Sequence, residues 1–245
     1  MKGQTPIPAL TAYDFPMTKL LDEAEIPIIL VGDSVGMVVL GFEDTTSVTI
    51  EMMEHHVAAA ARAKPRALLV GDLPYRTYAT PGDAVKNARR LIAAGAEAVK
   101  AEGGTEILEA VRAIRGEGIP FMGHLGMLPQ SVREEGGYHV KGKLDAERDH
   151  LVQEARVLKE AGAFAIVLEL VSPAAAKAIT AAVKIPTIGI GSGPDCDGQI
   201  LVTYDLLGMF PWFTPRFVKP KLNVAEQIRR VVMEWKESLA NPVAK

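Results

Sequence analysis

Cysteine is almost missing from this chain: Cys196 is the single example. One thiol excludes an internal disulfide framework and fits a reducing compartment. Apolar runs long enough to span a bilayer are missing too. The opening Met1-Lys2-Gly3-Gln4-Thr5-Pro6 has none of the apolar core of a signal peptide. Neither sign of charge dominates: 27 basic residues face 30 acidic ones, for a formal net charge of -3. With no dense Lys/Arg block, nothing points to a nucleic-acid or membrane surface. Linkers, low-complexity tracts and a second domain are likewise absent. The default expectation is a cytoplasmic enzyme.

What is present is a large apolar fraction, 48% of 245 residues, arranged in alternation. Short apolar runs predict strands at Ile7–Thr11, Ile28–Val31, Ala67–Val70, Ala98–Ala101, Ile119–Gly123, Ala165–Leu168 and Thr187–Ile190, with a weaker eighth at Ile200–Thr203. Helical patterns separate them. Thr80-Pro81 and Ser172-Pro173 read as an N-cap followed by a first-turn proline, and Gly95, Gly116 and Gly162 as helix stops. Thr49–Ala63, Thr105–Arg115 and Asp145–Ala161 are predicted helices, and Val224, Ile228, Val231, Val232 and Trp235 mark a C-terminal amphipathic one. About eight βα units in this length favour a closed (β/α)8 barrel, a TIM barrel, over an open doubly wound sheet. The expectation is one barrel domain over residues 1–245 with a C-terminal helix.

In a parallel barrel, catalytic groups come from the C-terminal ends of the strands. Here strand after strand ends in an ionisable group: Asp33-Ser34, Asp72, Lys100 with Glu102, His124, and Glu169. These should converge on one rim. Asp33, Asp72 and Glu102 come from neighbouring strands and offer the hard oxygens that suit Mg²⁺. The set lacks the paired His or Cys ligands of a dedicated zinc site. For any one acid the bland alternative is capping of the next helix. Three on consecutive strands, beside a lysine and a histidine, favour the site. Glu169 ends an apolar strand, which places its carboxylate at the pocket floor as a candidate base; the alternative is a simple ion pair with Lys100. Gly189–Gly193 is a glycine-rich turn without a phosphate-loop pattern, and Asp195–Gly198 reads as a structural turn. His55-His56 lies in a predicted helix and is expected to face solvent or a neighbouring subunit.

From Thr11 to about Val218 the sequence resembles the ketopantoate hydroxymethyltransferases. The resemblance is carried by Leu10–Asp14, Val31-Gly32-Asp33-Ser34-Val35-Gly36-Met37, Gly123-His124-Leu125-Gly126, Pro129-Gln130-Ser131 and Gly193–Gln199. Gly71-Asp72-Leu73-Pro74-Tyr75 and Met127-Leu128 depart conservatively from the family pattern, and Ser192 stands where the family has alanine. The resemblance implies transfer of a one-carbon unit from 5,10-methylenetetrahydrofolate to C3 of 3-methyl-2-oxobutanoate, giving ketopantoate for pantothenate synthesis. It implies one Mg²⁺ per subunit on Asp33, Asp72 and Glu102. It makes Asp33, Ser34, Asp72, Lys100 and His124 contacts of the oxo acid, and Glu169 the proton acceptor. It further implies a cytoplasmic homodecamer. A metal-stabilised enolate is the chemistry expected of these groups, and the glycine-containing segment Leu125–Gly142 is a candidate lid. The competing reading is a carbon–carbon lyase or mutase of the isocitrate lyase and phosphoenolpyruvate mutase type. That class shares the barrel, the Mg²⁺ and the enolate, but commonly carries a loop cysteine that Leu125–Gly142 lacks.

Overall fold

Runs that are apolar on both faces can be satisfied only by a sheet covered on both sides. A computed structural model, describing residues 2, 3 and 5–240, shows how the chain does this. In order, β1 (Ile7–Thr11), α1 (Phe15–Glu23), β2 (Ile28–Val31), α2 (Val35–Val38), α3 (Ile50–Ala61) and β3 (Leu68–Asp72) are followed by α4 (Pro81–Ala93) and β4 (Ala98–Lys100). Then come α5 (Leu108–Gly116), β5 (Phe121–Gly126), α6 (Asp145–Glu160), β6 (Ala165–Glu169), α7 (Pro173–Ala182), β7 (Thr187–Ile190) and β8 (Gly198–Leu201). The strands pair in sequence order, in parallel, and the ring closes from β8 to β1.

Local chemistry sets the helix starts. The Met17 amide donates to the Asp14 carboxylate at 2.8 Å ahead of α1, and the Asp83 amide donates to the Thr80 hydroxyl at 3.1 Å ahead of α4. Pro81 and Pro173 stand in the first turns of α4 and α7, where a missing N–H costs nothing. At the end of α4, Gly95 takes φ +113°, and a Cβ there would stand 2.4 Å from the Ala61 Cβ of α3. Only glycine permits both the turn and that approach.

The barrel interior decides where the chemistry lies. Ile7 and Ala9, Ile28 and Leu30, Val70, Ala98, Met122, Ala165 and Val167, Ile188 and Ile200 form one buried apolar cluster. Side chains alternate along a strand with period two. One step of two beyond Val70, Ala98, Met122 and Val167 therefore puts Asp72, Lys100, His124 and Glu169 on the same inward face, just above the apolar plug.

By backbone contacts the chain divides into two compact units, 1–200 and 201–245. The second holds α8 (Thr203–Leu206) and α9 (Val224–Ala240). Within it the Lys221 amide donates to the Leu206 carbonyl at 2.7 Å, and Phe210 meets Trp212 edge to face. Ile228, Val231, Val232, Met233 and Trp235 of α9 are exposed.

Several boundaries differ from expectation by a residue or more, and three of them have a visible consequence or cause. β8 begins at Gly198 rather than Ile200, because Gly198 lies against β1 so closely that a Cβ would stand 2.3 Å from the Ile7 carbonyl. β5 runs on to Gly126, so His124 sits inside the strand. The Thr105–Arg115 helix opens as a 3-10 turn, Thr105–Ile107, before α5.

Candidate active site

The rim residues expected from sequence do come together. The register of β3 against β4 sets Asp72 directly opposite Lys100. The Lys100 ammonium donates to both carboxylate oxygens of Asp72, each at 2.7 Å. Both residues are buried. Burial disfavours the ammonium, but the Asp72 and Glu102 carboxylates outweigh it, so Lys100 stays charged with its pKa pushed above the ordinary lysine range. The expected alternative, a Lys100–Glu169 pair, is not the pairing seen.

Glu169 faces His124 instead. The ring of His124, 2% exposed, stands between two carboxylates: Nδ1 lies 3.4 Å from Glu102 Oε1 and Nε2 lies 3.4 Å from Glu169 Oε2. Neither contact has the geometry of a full hydrogen bond. Burial and the Lys100 charge oppose protonation of this ring. Glu102 and Glu169 prevail, and hold its pKa up at about 9. Glu102 is correspondingly lowered: burial raises it, and His124 and Lys100 more than reverse that.

Asp33 ends the turn after β2, and its amide donates to Asp72 Oδ2 at 3.4 Å. Burial, then the charges of Asp72 and Glu102, push its carboxyl well above the usual range. Ser34 opens α2, and its hydroxyl lies 2.9 Å from that of Tyr13, which follows β1. Sequence reasoning misses Tyr13; its one signal there is its place two residues beyond Thr11, on the inward face of β1. Its carbonyl lies 2.7 Å from Nδ1 of His56, so His56 packs inward rather than facing solvent.

Gln130, within the Pro129-Gln130-Ser131 motif, carries no role that the sequence alone discloses. It is buried and reaches Asp33 with its side-chain amide and Glu102 with its backbone N–H. At the far side of β6, the Ser192 hydroxyl donates to the Leu168 carbonyl at 2.7 Å and accepts from the Val171 amide at 2.9 Å. It thereby fixes the backbone on both sides of Glu169. Asp197, in the Asp195–Gly198 turn, accepts from Lys2 and from the Thr187 amide. A cavity of about 690 Å³ lies beside the cluster, lined in part by Thr46, Val48, Tyr75, Thr77, Gln130 and Arg133. It shares only Gln130 with the cluster, so the chemistry, not the volume, locates the site.

The fit of a divalent cation can be judged from these groups. Among the described residues no three His, Cys, Asp or Glu side chains already surround one point. Lys100 holds both oxygens of Asp72, while Asp33 and Glu102 are the carboxylates not held by a lysine. Mg²⁺ commonly uses one or two carboxylates, with waters and substrate oxygens completing its shell. Burial is the main cause of the upward push on Asp33, and the Asp72 and Glu102 charges add a part that a cation would relieve. The donor set fits.

Comparison with known proteins settles the lineage. The model of the ketopantoate hydroxymethyltransferase family matches residues 1–242. The chain belongs to that family. It is 52% identical over 235 residues to the 3-methyl-2-oxobutanoate hydroxymethyltransferase of Caldivirga maquilingensis, covering 96% of this chain and 88% of that one. It is 51% identical to the protein of the same name from Moorella thermoacetica, covering 95% of this chain and 87% of that one. Among solved structures, the phosphoenolpyruvate phosphomutase of Streptomyces platensis subsp. rosaceus superposes with a TM-score of 0.69 at 12% identity, over 99% of this chain and 88% of that one. At that identity the likeness shows a shared barrel fold and carries no reaction with it.

Proposed function

We propose that this chain transfers a one-carbon unit from 5,10-methylenetetrahydrofolate to C3 of 3-methyl-2-oxobutanoate, giving 2-dehydropantoate (ketopantoate), in the first step of pantothenate synthesis. The observation that carries the reading is the buried arrangement of Asp33, Asp72, Lys100, Glu102, His124 and Glu169 on one inward face of a barrel whose family is known. Asp33, Asp72 and Glu102 would hold the divalent cation, Mg²⁺ in the first instance; each carboxylate oxygen carries a second lone pair, so Asp72 can serve while it keeps Lys100. When bound, that cation supplies a Lewis acid for the keto oxygen.

The protein's own groups account for the rest. The Lys100 ammonium, fixed on Asp72, keeps a positive charge where the oxo acid's anion must lie. Ser34 and Tyr13 present paired hydroxyls to the same space. Glu169, less buried than its neighbours at 15% side-chain exposure, takes the proton from C3. His124 stands at its other side as a charged partner that orients the carboxylate. We further place the protein in the cytoplasm as a homodecamer.

The test is direct. Purified protein with Mg²⁺, 3-methyl-2-oxobutanoate and methylenetetrahydrofolate should form ketopantoate, and chelation should stop it. Cleavage of an oxo acid without any need for folate would instead favour the lyase or mutase chemistry.

A further inference from the structure

Gln130 is the residue the mechanism leaves unexplained. It sits in a 3-10 turn, Pro129–Ser131, just beyond β5, and is 3% exposed. Its side-chain amide donates to Asp33 Oδ2 at 2.8 Å and to the Leu73 carbonyl at 3.0 Å. Its amide oxygen accepts from the Tyr78 hydroxyl at 2.6 Å. Its backbone N–H donates to Glu102 Oε2 at 3.0 Å. The amide can point only one way, since turning it over would set its oxygen against two acceptors. One loop residue is thus tied to the end of β2, the loop after β3 and the end of β4.

The other end of the same loop is fixed as firmly. The Lys141 amide donates to the Leu170 carbonyl at 2.8 Å, and the Ser172 amide returns to the Lys141 carbonyl at 2.8 Å. These bonds lie immediately after Glu169. Between the two anchors, Tyr138 reaches back to the Met37 sulfur of α2 at 4.0 Å. The segment 132–140 therefore spans the mouth of the barrel, from the carboxylates on one side to the candidate base on the other.

We propose that Gln130 is a positioning residue that couples the order of segment 132–140 to the orientation of Asp33 and Glu102, so that a divalent cation on those carboxylates and a docked segment stabilise each other. The proposal rests on the cation reading given above. Its physical content is reciprocal: whatever holds Asp33 and Glu102 in the geometry that Gln130 satisfies also favours the docked loop, and a docked loop raises cation affinity by the same factor. Partners of this kind, one bond removed from a metal, are typically worth roughly 10- to 100-fold in metal affinity.

The experiment compares wild type with Gln130→Met, which keeps side-chain length and loses the donors and acceptor, and with Tyr78→Phe, which removes the hydroxyl bonded to the Gln130 side chain at 2.6 Å and to the Glu102 backbone carbonyl at 3.1 Å while leaving the Gln130 contacts to Asp33 and Glu102 in place. Mn²⁺ affinity is measured by titration, and amide exchange of residues 132–140 is measured with and without Mn²⁺. Wild type should gain protection in that segment when Mn²⁺ binds. Gln130→Met should bind Mn²⁺ roughly 10- to 100-fold more weakly and lose the Mn²⁺-dependent gain, and Tyr78→Phe should fall between. If Gln130→Met does not fold, Tyr78→Phe decides alone. A uniform loss of protection with Mn²⁺ affinity within twofold of wild type would overturn the coupling and leave Gln130 a purely structural residue. Wild-type protein that takes up no Mn²⁺ would sink the cation reading, and the coupling with it.

Discussion

At the scale of single residues, the site is a set of acids kept apart by two cations. Lys100 takes Asp72, and His124 takes Glu102 and Glu169, which leaves Asp33 to the Gln130 amide. Glu169 is the group assigned to C3. With metal and oxo acid but no folate, wild type should exchange the C3 proton with deuterated water. Glu169→Gln should slow that exchange by roughly two to four orders of magnitude, the usual worth of a placed base. Near-normal exchange with lost substrate binding would make Glu169 a positioning group. Asp33→Ala should lose Mn²⁺ binding yet keep its circular dichroism, because a rim residue adds little to the core. His124 gives a pH signature in metal-free protein. Its folded pKa of about 9 lies above the ordinary 6.5, so its stabilising share is complete below pH 6.5 and is lost as pH rises through about 9. Urea unfolding at pH 6.5 and pH 9.5 should show a drop in wild type that His124→Gln does not share.

At the scale of elements, the ends of the strands do the positioning. Gly126 closes β5 at φ +102°, and a Cβ there would stand 2.3 Å from the Glu169 carbonyl. β5 and β6 can carry His124 and Glu169 side by side only through that approach. Ser192 holds the next turn. Removing its hydroxyl leaves the Val171 N–H short of a partner in a buried place. Ser192→Ala should therefore cost about 1–3 kcal/mol. For a chain of this size that is a loss of roughly 2–4 °C in Tm per kcal/mol, readable by calorimetry; an unchanged Tm would show that the backbone pairs elsewhere. These elements also show what a sequence can and cannot disclose. β1, β2 and β7 stand at their expected limits because both of their faces are apolar, a pattern that survives without knowledge of neighbours. The site acids were legible for the same reason, as the first polar residues after such runs. The pairing of Lys100 was not: it follows from strand register, Asp72 opposite Lys100, which no periodicity encodes. Gln130 escaped because a loop glutamine has no pattern at all, and its bonds run to three separate parts of the chain.

At the scale of the whole molecule, the exposed apolar residues of α9 need an account. Val231, Val232, Met233 and Trp235 are each more than half exposed on one helix. Contiguous apolar surface of this kind marks an association face more often than a solvent face. Sedimentation at micromolar concentration should give an assembly larger than a dimer, and a monomer would refute this. The closed ring has a further consequence for the chain as it is made. The ribosome delivers the site in the order Asp33, Asp72, Lys100, Glu102, His124, Gln130, Glu169. Asp72 is neutralised by a lysine from the very next strand, and Glu102 by a histidine from the strand after it. Asp33 alone waits 97 positions for the amide that satisfies it. Most charge partners thus emerge within one βα unit of each other, Glu169 finds His124 already made, and the acid nearest the start of the set waits longest for its own partner.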